Sequence, residues 1–258
     1  EVRKGHERHL KAEGGWPDEF LARHREKFGE KTRPDQTWQN AVYFADQLKA
    51  LGVDHVHVHF ANRETHAALM LKRLAGIPFS FMPQAQDFLV DIESPAVLAD
   101  MCEAAEFVIV ACDWARDELL KLCPAAASKV RRIYNGIDPA PYPRAHPTPR
   151  DGTLRIVSVG RLVEFKGFNH LITAIADARK LGAMVHLDLM GDGPLREPLE
   201  RQVAALDLAA QVTFHGSVTI DAMRDCFASS DAFALACIKD KNGAADVFPT
   251  VITEAMLS

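Results

Sequence analysis

The chain predicts an α/β protein of two units with parallel sheets, and three observations carry that expectation. Short β-branched runs alternate with segments of helical period along most of the sequence, and one dense proline segment interrupts the alternation near the middle. The length, 258 residues, is enough for two modest domains. A composition of 48% hydrophobic, 25% charged and 8% aromatic residues is an ordinary globular mixture that excludes collagen, coiled-coil and disordered classes. Thirty Lys and Arg against 35 Asp and Glu leave a formal charge of −5, which argues against nucleic acid as the main partner. Apolar runs such as Phe107–Cys112 fall far short of the ~20 residues that a membrane helix needs. Cys102, Cys112, Cys123, Cys226 and Cys237 lie in apolar stretches without a CxxC pair, and read as reduced thiols of a cytoplasmic protein.

Residues 1–33 carry nine Lys or Arg and seven Asp or Glu around Trp16, Phe20 and Phe28, and read as helical and surface-exposed. Trp38, Ala41, Val42, Ala45 and Leu48 recur at three- and four-residue steps, a helix over 37–51 that stops at Gly52. A strand is expected at 54–60, a helix at 64–75 and a strand from Phe79 after Gly76-Ile77-Pro78. A helix near 95–105, a strand at 107–111, a helix at 114–122 and a short strand at 130–134 complete one Rossmann-like unit over 1–138. Five prolines in the twelve residues 139–150 forbid helix or central strand, so 139–152 reads as a linker. The second unit, 153–258, reads as strand 154–159, helix 168–181, strand 185–190, helix 195–206, strand 212–215, helix 220–229, strand 232–236 and a helix after Pro249.

Chemistry concentrates in the second unit. A buried strand ends at Gly160, and Arg161 and Lys166 flank a loop that opens a helix, whose free N–H groups and positive dipole end suit phosphate. On spacing alone the two cations are equally well read as solvated surface charges. Asp246 and Glu254 lie eight residues apart around Pro249; a carboxylate on such a helix could take both hydroxyls of a ribose, while Asp before a helix is most often a cap. Gly191-Asp-Gly-Pro194 and Val212-Thr-Phe-His-Gly216 follow or end strands, and each alone could be an ordinary turn.

In this order the pieces resemble the retaining glycosyltransferases of the GT-B fold, family 4. The matching segments are Val159-Gly-Arg-Leu162 with Lys166-Gly167, Gly191-Asp-Gly-Pro194, Val212–Gly216, Phe248-Pro249 with Glu254-Ala-Met256, and, upstream, Tyr134-Asn-Gly-Ile-Asp138. The resemblance spans roughly 54–258 and implies two Rossmann-like domains facing a cleft, each continuing beyond this chain. It implies that Arg161 and Lys166 bind the diphosphate of a nucleotide-sugar donor and stabilise the charge growing on it as the glycosidic bond breaks, without a metal or other cofactor. Glu254 would hold the ribose, with Gly160, Gly191 and Val251 beside the donor. Asp246 stands where the family usually has Glu, near hydroxyls of the transferred sugar. The acceptor implied is a glycan or lipid-linked glycan.

The first unit departs from the pattern. Where the family usually has a His-Ala-His-Asp stretch whose first His lies near the transferred sugar, this chain reads Gln84-Ala85-Gln86-Asp87. Gln84 keeps a hydrogen-bonding amide but cannot be protonated near neutral pH. His55, His57 and His59 share one strand face, where a row of imidazoles could chelate a metal, but no Cys or carboxylate at ligand spacing completes a set. Arg3, Lys4, Arg8 and Lys11, with Arg23, Arg25 and Lys27, could lie on anionic lipid at the cytoplasmic surface, against which the interspersed Glu and Asp argue. Two further readings stay open: a nucleotide-sugar epimerase of the same fold, and a non-catalytic subunit that binds a nucleotide sugar or a partner enzyme.

Overall fold

A computed structural model describes residues 7, 17–91, 95–142 and 152–258, which form two compact units, 1–134 and 135–258. Most of the expected linker (143–151), Trp16 and the basic residues Arg3, Lys4, Arg8 and Lys11 lie outside the described residues. The division falls at Tyr134/Asn135, so 135–138, expected in the first unit, and 139–142, expected in the linker, group with the second unit.

Unit 1 runs α1 (Asp18–Phe28), α2 (Pro34–Ala50), β1 (Val56–His59), α3 (Arg63–Ala75), β2 (Phe79–Met82), α4 (Ala85–Leu89), α5 (Pro95–Ala104), β3 (Val108–Val110), α6 (Asp113–Leu122) and β4 (Val130–Arg132). The four strands pair in parallel in the order β1-β2-β3-β4, with Val56 opposite Phe79 and Val108 opposite Val130. All of β2 is buried, as a central parallel strand covered on both faces must be. Asn62 starts α3 by accepting the Glu64 N–H at 3.2 Å on its side chain.

The expectation of a surface-exposed segment at the amino end needs correction. In α1 the i, i+3, i+7 spacing puts Leu21, His24 and Phe28 on one buried face, and Leu21 joins Trp38, Ala41, Val42, Ala45, Met70 and Leu71 in one core. The charged residues of α1 occupy its other faces. Helix α4 was not expected; it is one turn long, below the length at which period can be read.

Unit 2 runs β5 (Leu154–Val159), α7 (Phe168–Lys180), β6 (Val185–Met190), α8 (Arg196–Ala205), β7 (Val212–Gly216), α9 (Ile220–Ser229), β8 (Ala232–Phe233) and α10 (Thr250–Leu257). The parallel order is β7-β6-β5-β8. The chain thus builds β5, β6 and β7 outward in one direction, then returns to place β8 on the other side of β5. That reversal at β5 is the topological switch point where open α/β sheets bind ligands. One face is packed by Phe168, Ile172, Ile175, Leu199, Val203 and Leu208, and the other by Met223, Phe227 and Val251. Among the described residues no helix is long and apolar enough to cross a membrane.

Candidate functional site

The carboxyl ends of β5 and β6 are held together by backbone. Gly160 N–H donates to the Met190 carbonyl at 2.9 Å, Leu162 N–H to Asp192 at 2.9 Å, and Leu195 N–H to Leu162 at 3.0 Å. Backbone comes so close around the loop after β5 that a Cβ has no room at Gly191, Gly193 or Gly167. A Cβ on Gly191, where φ is +132°, would stand 2.0 Å from the Gly160 carbonyl oxygen. One on Gly167, at φ +68°, would stand 1.8 Å from that of Ala236.

Above these strand ends lies a cleft of about 470 Å³, lined by Gly160, Arg161, Gly191, Asp192, Thr219 and Glu254 among others. The structure therefore brings four of the expected donor residues, Gly160, Arg161, Gly191 and Glu254, to one cavity. Arg161 is exposed and, among the described residues, has no ion-pair partner. Glu254 reaches the cleft from α10, while Val251, one turn earlier, faces the core instead. The cleft combines a free cation, backbone at a strand-to-loop turn and a carboxylate, a set suited to an anion carrying hydroxyl groups.

Lys166 and Asp246 do not line this cavity. They form an ion pair with each other, Lys166 Nζ to Asp246 Oδ2, with side chains only 14% and 17% exposed. Cys237 lies beside the pair; burial, and secondly Asp246, push its thiol up. The Lys166 stem reaches toward Gly160, whose missing Cβ would stand 3.5 Å from Lys166 Cδ and Cε.

Two residues at this site carried no signal in the sequence. Tyr142 Oη donates to Glu254 Oε1 at 3.1 Å, and the Arg224 guanidinium lies 4.8 Å above the Tyr142 ring. Tyr142 sits in a proline-rich segment and Arg224 on an amphipathic helix, settings in which neither residue type is distinctive.

In unit 1, the Gln84 N–H donates at 2.7 Å to Asp87 Oδ1, and the Ala61 N–H to Asp87 Oδ2. Asp87 so joins the carboxyl ends of β1 and β2. Burial raises its carboxyl to about 6 against the pull of these N–H groups. Of the histidine row, His55 Nε2 and His57 Nδ1 each lie 2.8 Å from Ser80 Oγ, His55 stacks on Phe107, and His57 meets the His59 ring. Among the described residues no group of three or more His, Cys, Asp or Glu is placed to hold a metal.

Two parallel α/β sheets in one chain, the second with a cleft at its switch point, are the architecture of the GT-B class. Residues 2–141 match the model of Glycosyltransferase Family 4 and residues 144–258 that of Glycosyl transferases group 1. The chain belongs to the group 1 glycosyltransferases of family 4. It is 34% identical over 82 residues to a GDP-mannose-dependent alpha-(1-6)-phosphatidylinositol monomannoside mannosyltransferase of Mycobacterium tuberculosis, covering 32% of this chain and 21% of that one. It is 27% identical over 143 residues to the amylovoran biosynthesis glycosyltransferase AmsK of Erwinia amylovora, covering 55% and 35%. The fold matches that of Anabaena HepE in complex with UDP with a TM-score of 0.68, at 20% identity over 84% of this chain and 60% of the other. The chain spans between 21% and 47% of the length of the curated relatives it matches.

Proposed function

We propose that the protein transfers a sugar from a nucleoside-diphosphate donor to an acceptor hydroxyl, with the anomeric configuration retained. The observation that carries this reading is the convergence of Arg161, Glu254 and the backbone of Gly160 and Gly191 on one cleft at the sheet's switch point. Arg161 takes the donor's diphosphate, and Glu254 accepts from the ribose hydroxyls. As the bond from the anomeric carbon to the phosphate oxygen breaks, the leaving diphosphate gains negative charge. A cation fixed there stabilises the transition state more than the ground state.

Lys166 joins Arg161 on that diphosphate by turning from Asp246, which is thereby released toward the transferred sugar. The two cations supply the charge that a divalent metal supplies elsewhere, so the reaction proceeds in chelator. Gln84 serves as an amide that positions a sugar hydroxyl. The names of the relatives, a phosphatidylinositol monomannoside mannosyltransferase and an amylovoran biosynthesis glycosyltransferase, support a glycolipid or polysaccharide acceptor; we place the reaction in the cytoplasm or at the inner membrane surface.

A thermal-shift panel of UDP, GDP, ADP and their common sugar conjugates tests the reading. One nucleotide series should stabilise the protein, and Arg161→Ala/Lys166→Ala should abolish the shift. A folded protein that none of them stabilises would refute a donor site here. Donor binding with neither transfer nor hydrolysis would favour the non-catalytic subunit.

A further inference from the structure

The Tyr142 hydroxyl belongs to no part of the donor reading above, yet it meets that reading's carboxylate. Tyr142 is 9% exposed, and its ring is held under the Arg224 guanidinium, which Asp221 Oδ1 fixes in turn at 3.2 Å. A phenol on a ring clamped in this way is a hydrogen-bond donor at a defined point. Burial, and secondly Glu254, raise it above its ordinary value, so it remains protonated at neutral pH.

Glu254 by itself is a flexible side chain on the second turn of α10. Ordering such a chain on ligand binding costs rotamer entropy, and a donor that holds it beforehand removes part of that cost. Among the described residues, Tyr142 is the one hydrogen-bond donor on this carboxylate. A carboxylate accepts at about four lone-pair positions, so one bond at Oε1 leaves capacity for two ribose hydroxyls. A phenylalanine would fill the same space and keep the ring under Arg224; the hydroxyl adds the bond to Glu254 and its own contact with the Arg224 guanidinium.

We propose that Tyr142 is a positioning residue for ribose recognition: its hydroxyl fixes the Glu254 carboxylate in the orientation that accepts the 2′- and 3′-hydroxyls of the donor nucleotide. This inference rests on the reading of Glu254 as the ribose-binding group. It assigns to the segment of unit 2 that precedes β5 a part in choosing a ribonucleotide over a deoxyribonucleotide.

The experiment is calorimetric titration of the full chain with UDP, GDP and ADP, each beside dUDP, dGDP and dADP, for wild type, Tyr142→Phe and Glu254→Gln. Wild type should prefer the ribonucleotide at least tenfold, and Glu254→Gln should lose that preference. Tyr142→Phe should reduce it at least threefold through weaker ribonucleotide binding, with deoxyribonucleotide affinity unchanged. 3-Fluorotyrosine at position 142, a stronger donor of nearly the same shape, should strengthen the preference. A preference lost in Glu254→Gln but intact in Tyr142→Phe overturns the role of Tyr142 and leaves the donor reading standing. A wild type without preference, or a Glu254→Gln that keeps it, overturns the reading of Glu254 and this inference with it. Equal losses for both sugars in Tyr142→Phe would show a packing role and refute the proposal.

Discussion

Lys166 and Asp246, eighty residues apart in sequence, meet as an ion pair in a half-buried setting beside the β5 loop. Each restrains the other: the lysine cannot give its full charge to an anion while the carboxylate holds it. Asp246→Asn frees Lys166 and removes a negative charge near the diphosphate, worth roughly 1 kcal/mol where water screens it. Nucleoside-diphosphate affinity should therefore rise about three- to tenfold. Sugar transfer should fall, because a neutral amide accepts a weaker hydrogen bond from a sugar hydroxyl than the carboxylate does. Titration beside a turnover assay checks both; weaker nucleotide binding in Asp246→Asn would contradict this account of the pair.

Much of this was legible before any coordinates, and the residues show why. Strands 154–159 and 185–190 and helix 220–229 fall where period and flanking turns place them. Strand Val56–His59 is shorter at both ends than its hydrophobic run, because pairing with Phe79–Met82 ends with the partner strand. Arg161 and Glu254 stand out because their segments, Val159-Gly-Arg-Leu162 and Glu254-Ala-Met256, resemble the family's motifs; on spacing alone Arg161 reads equally well as a surface charge. Tyr142 and Arg224 were not, since their importance lies in a contact over 112 residues to Glu254 and in a ring stacked under a guanidinium, which no local pattern encodes. The pairing of Lys166 with Asp246 was hidden for the same reason: spacing names charges, not their partners.

Gly191 and Gly167 should be intolerant of alanine. At Gly191 the new Cβ meets a carbonyl oxygen at 2.0 Å, and that oxygen belongs to the chain that carries Arg161. Backbone cannot swing aside as a side chain can, so Gly191→Ala and Gly167→Ala should each destabilise unit 2 by more than about 3 kcal/mol. Gly182 is the control: it also has positive φ, +85°, but nothing lies within 4 Å of its Cβ position. Gly182→Ala should cost only about 1 kcal/mol, the conformational strain alone. Urea unfolding followed by circular dichroism separates these outcomes.

Acidification should destabilise unit 1 through two buried histidines. His24 and His66 are buried against each other and Phe28, with His24 Nε2 and His66 Nδ1 unpartnered. Burial lowers His24 to about 4 and His66 to about 3, the latter aided by His24. Their folded values lie below the unfolded 6.5, so the stability that they contribute is present above pH 6.5 and is lost as pH falls toward 4. Between pH 7 and 5 the loss is about 2 kcal/mol for each. Asp87 has the opposite sign: its raised carboxyl favours the folded state at low pH and offsets about 1 kcal/mol in the same window. All three tryptophans, Trp16, Trp38 and Trp114, belong to unit 1, so their fluorescence reports its unfolding alone. The midpoint should fall on going from pH 7 to 5, and His24→Phe/His66→Phe should remove most of that fall.

Leu162 links the core of unit 2 to the function of its cleft. Its side chain is 0% exposed, its N–H and carbonyl are both bonded to the chain after β6, and it immediately follows Arg161. Truncation leaves a cavity under the loop that aims the cation, and a displacement of about 1 Å there is enough to cost binding or rate. Leu162→Ala should destabilise unit 2 by about 2–5 kcal/mol and also weaken nucleoside-diphosphate binding, although Leu162 does not line the cleft. Leu208 is equally buried in the same core but follows α8, away from the cleft. Leu208→Ala should match the loss of stability and leave nucleotide affinity unchanged at temperatures where both variants are folded. If the two variants lost affinity alike, the loop after β5 would be no more dependent on its anchor than on the core at large. The difference between them measures how far the packing under Arg161 sets the position of its charge.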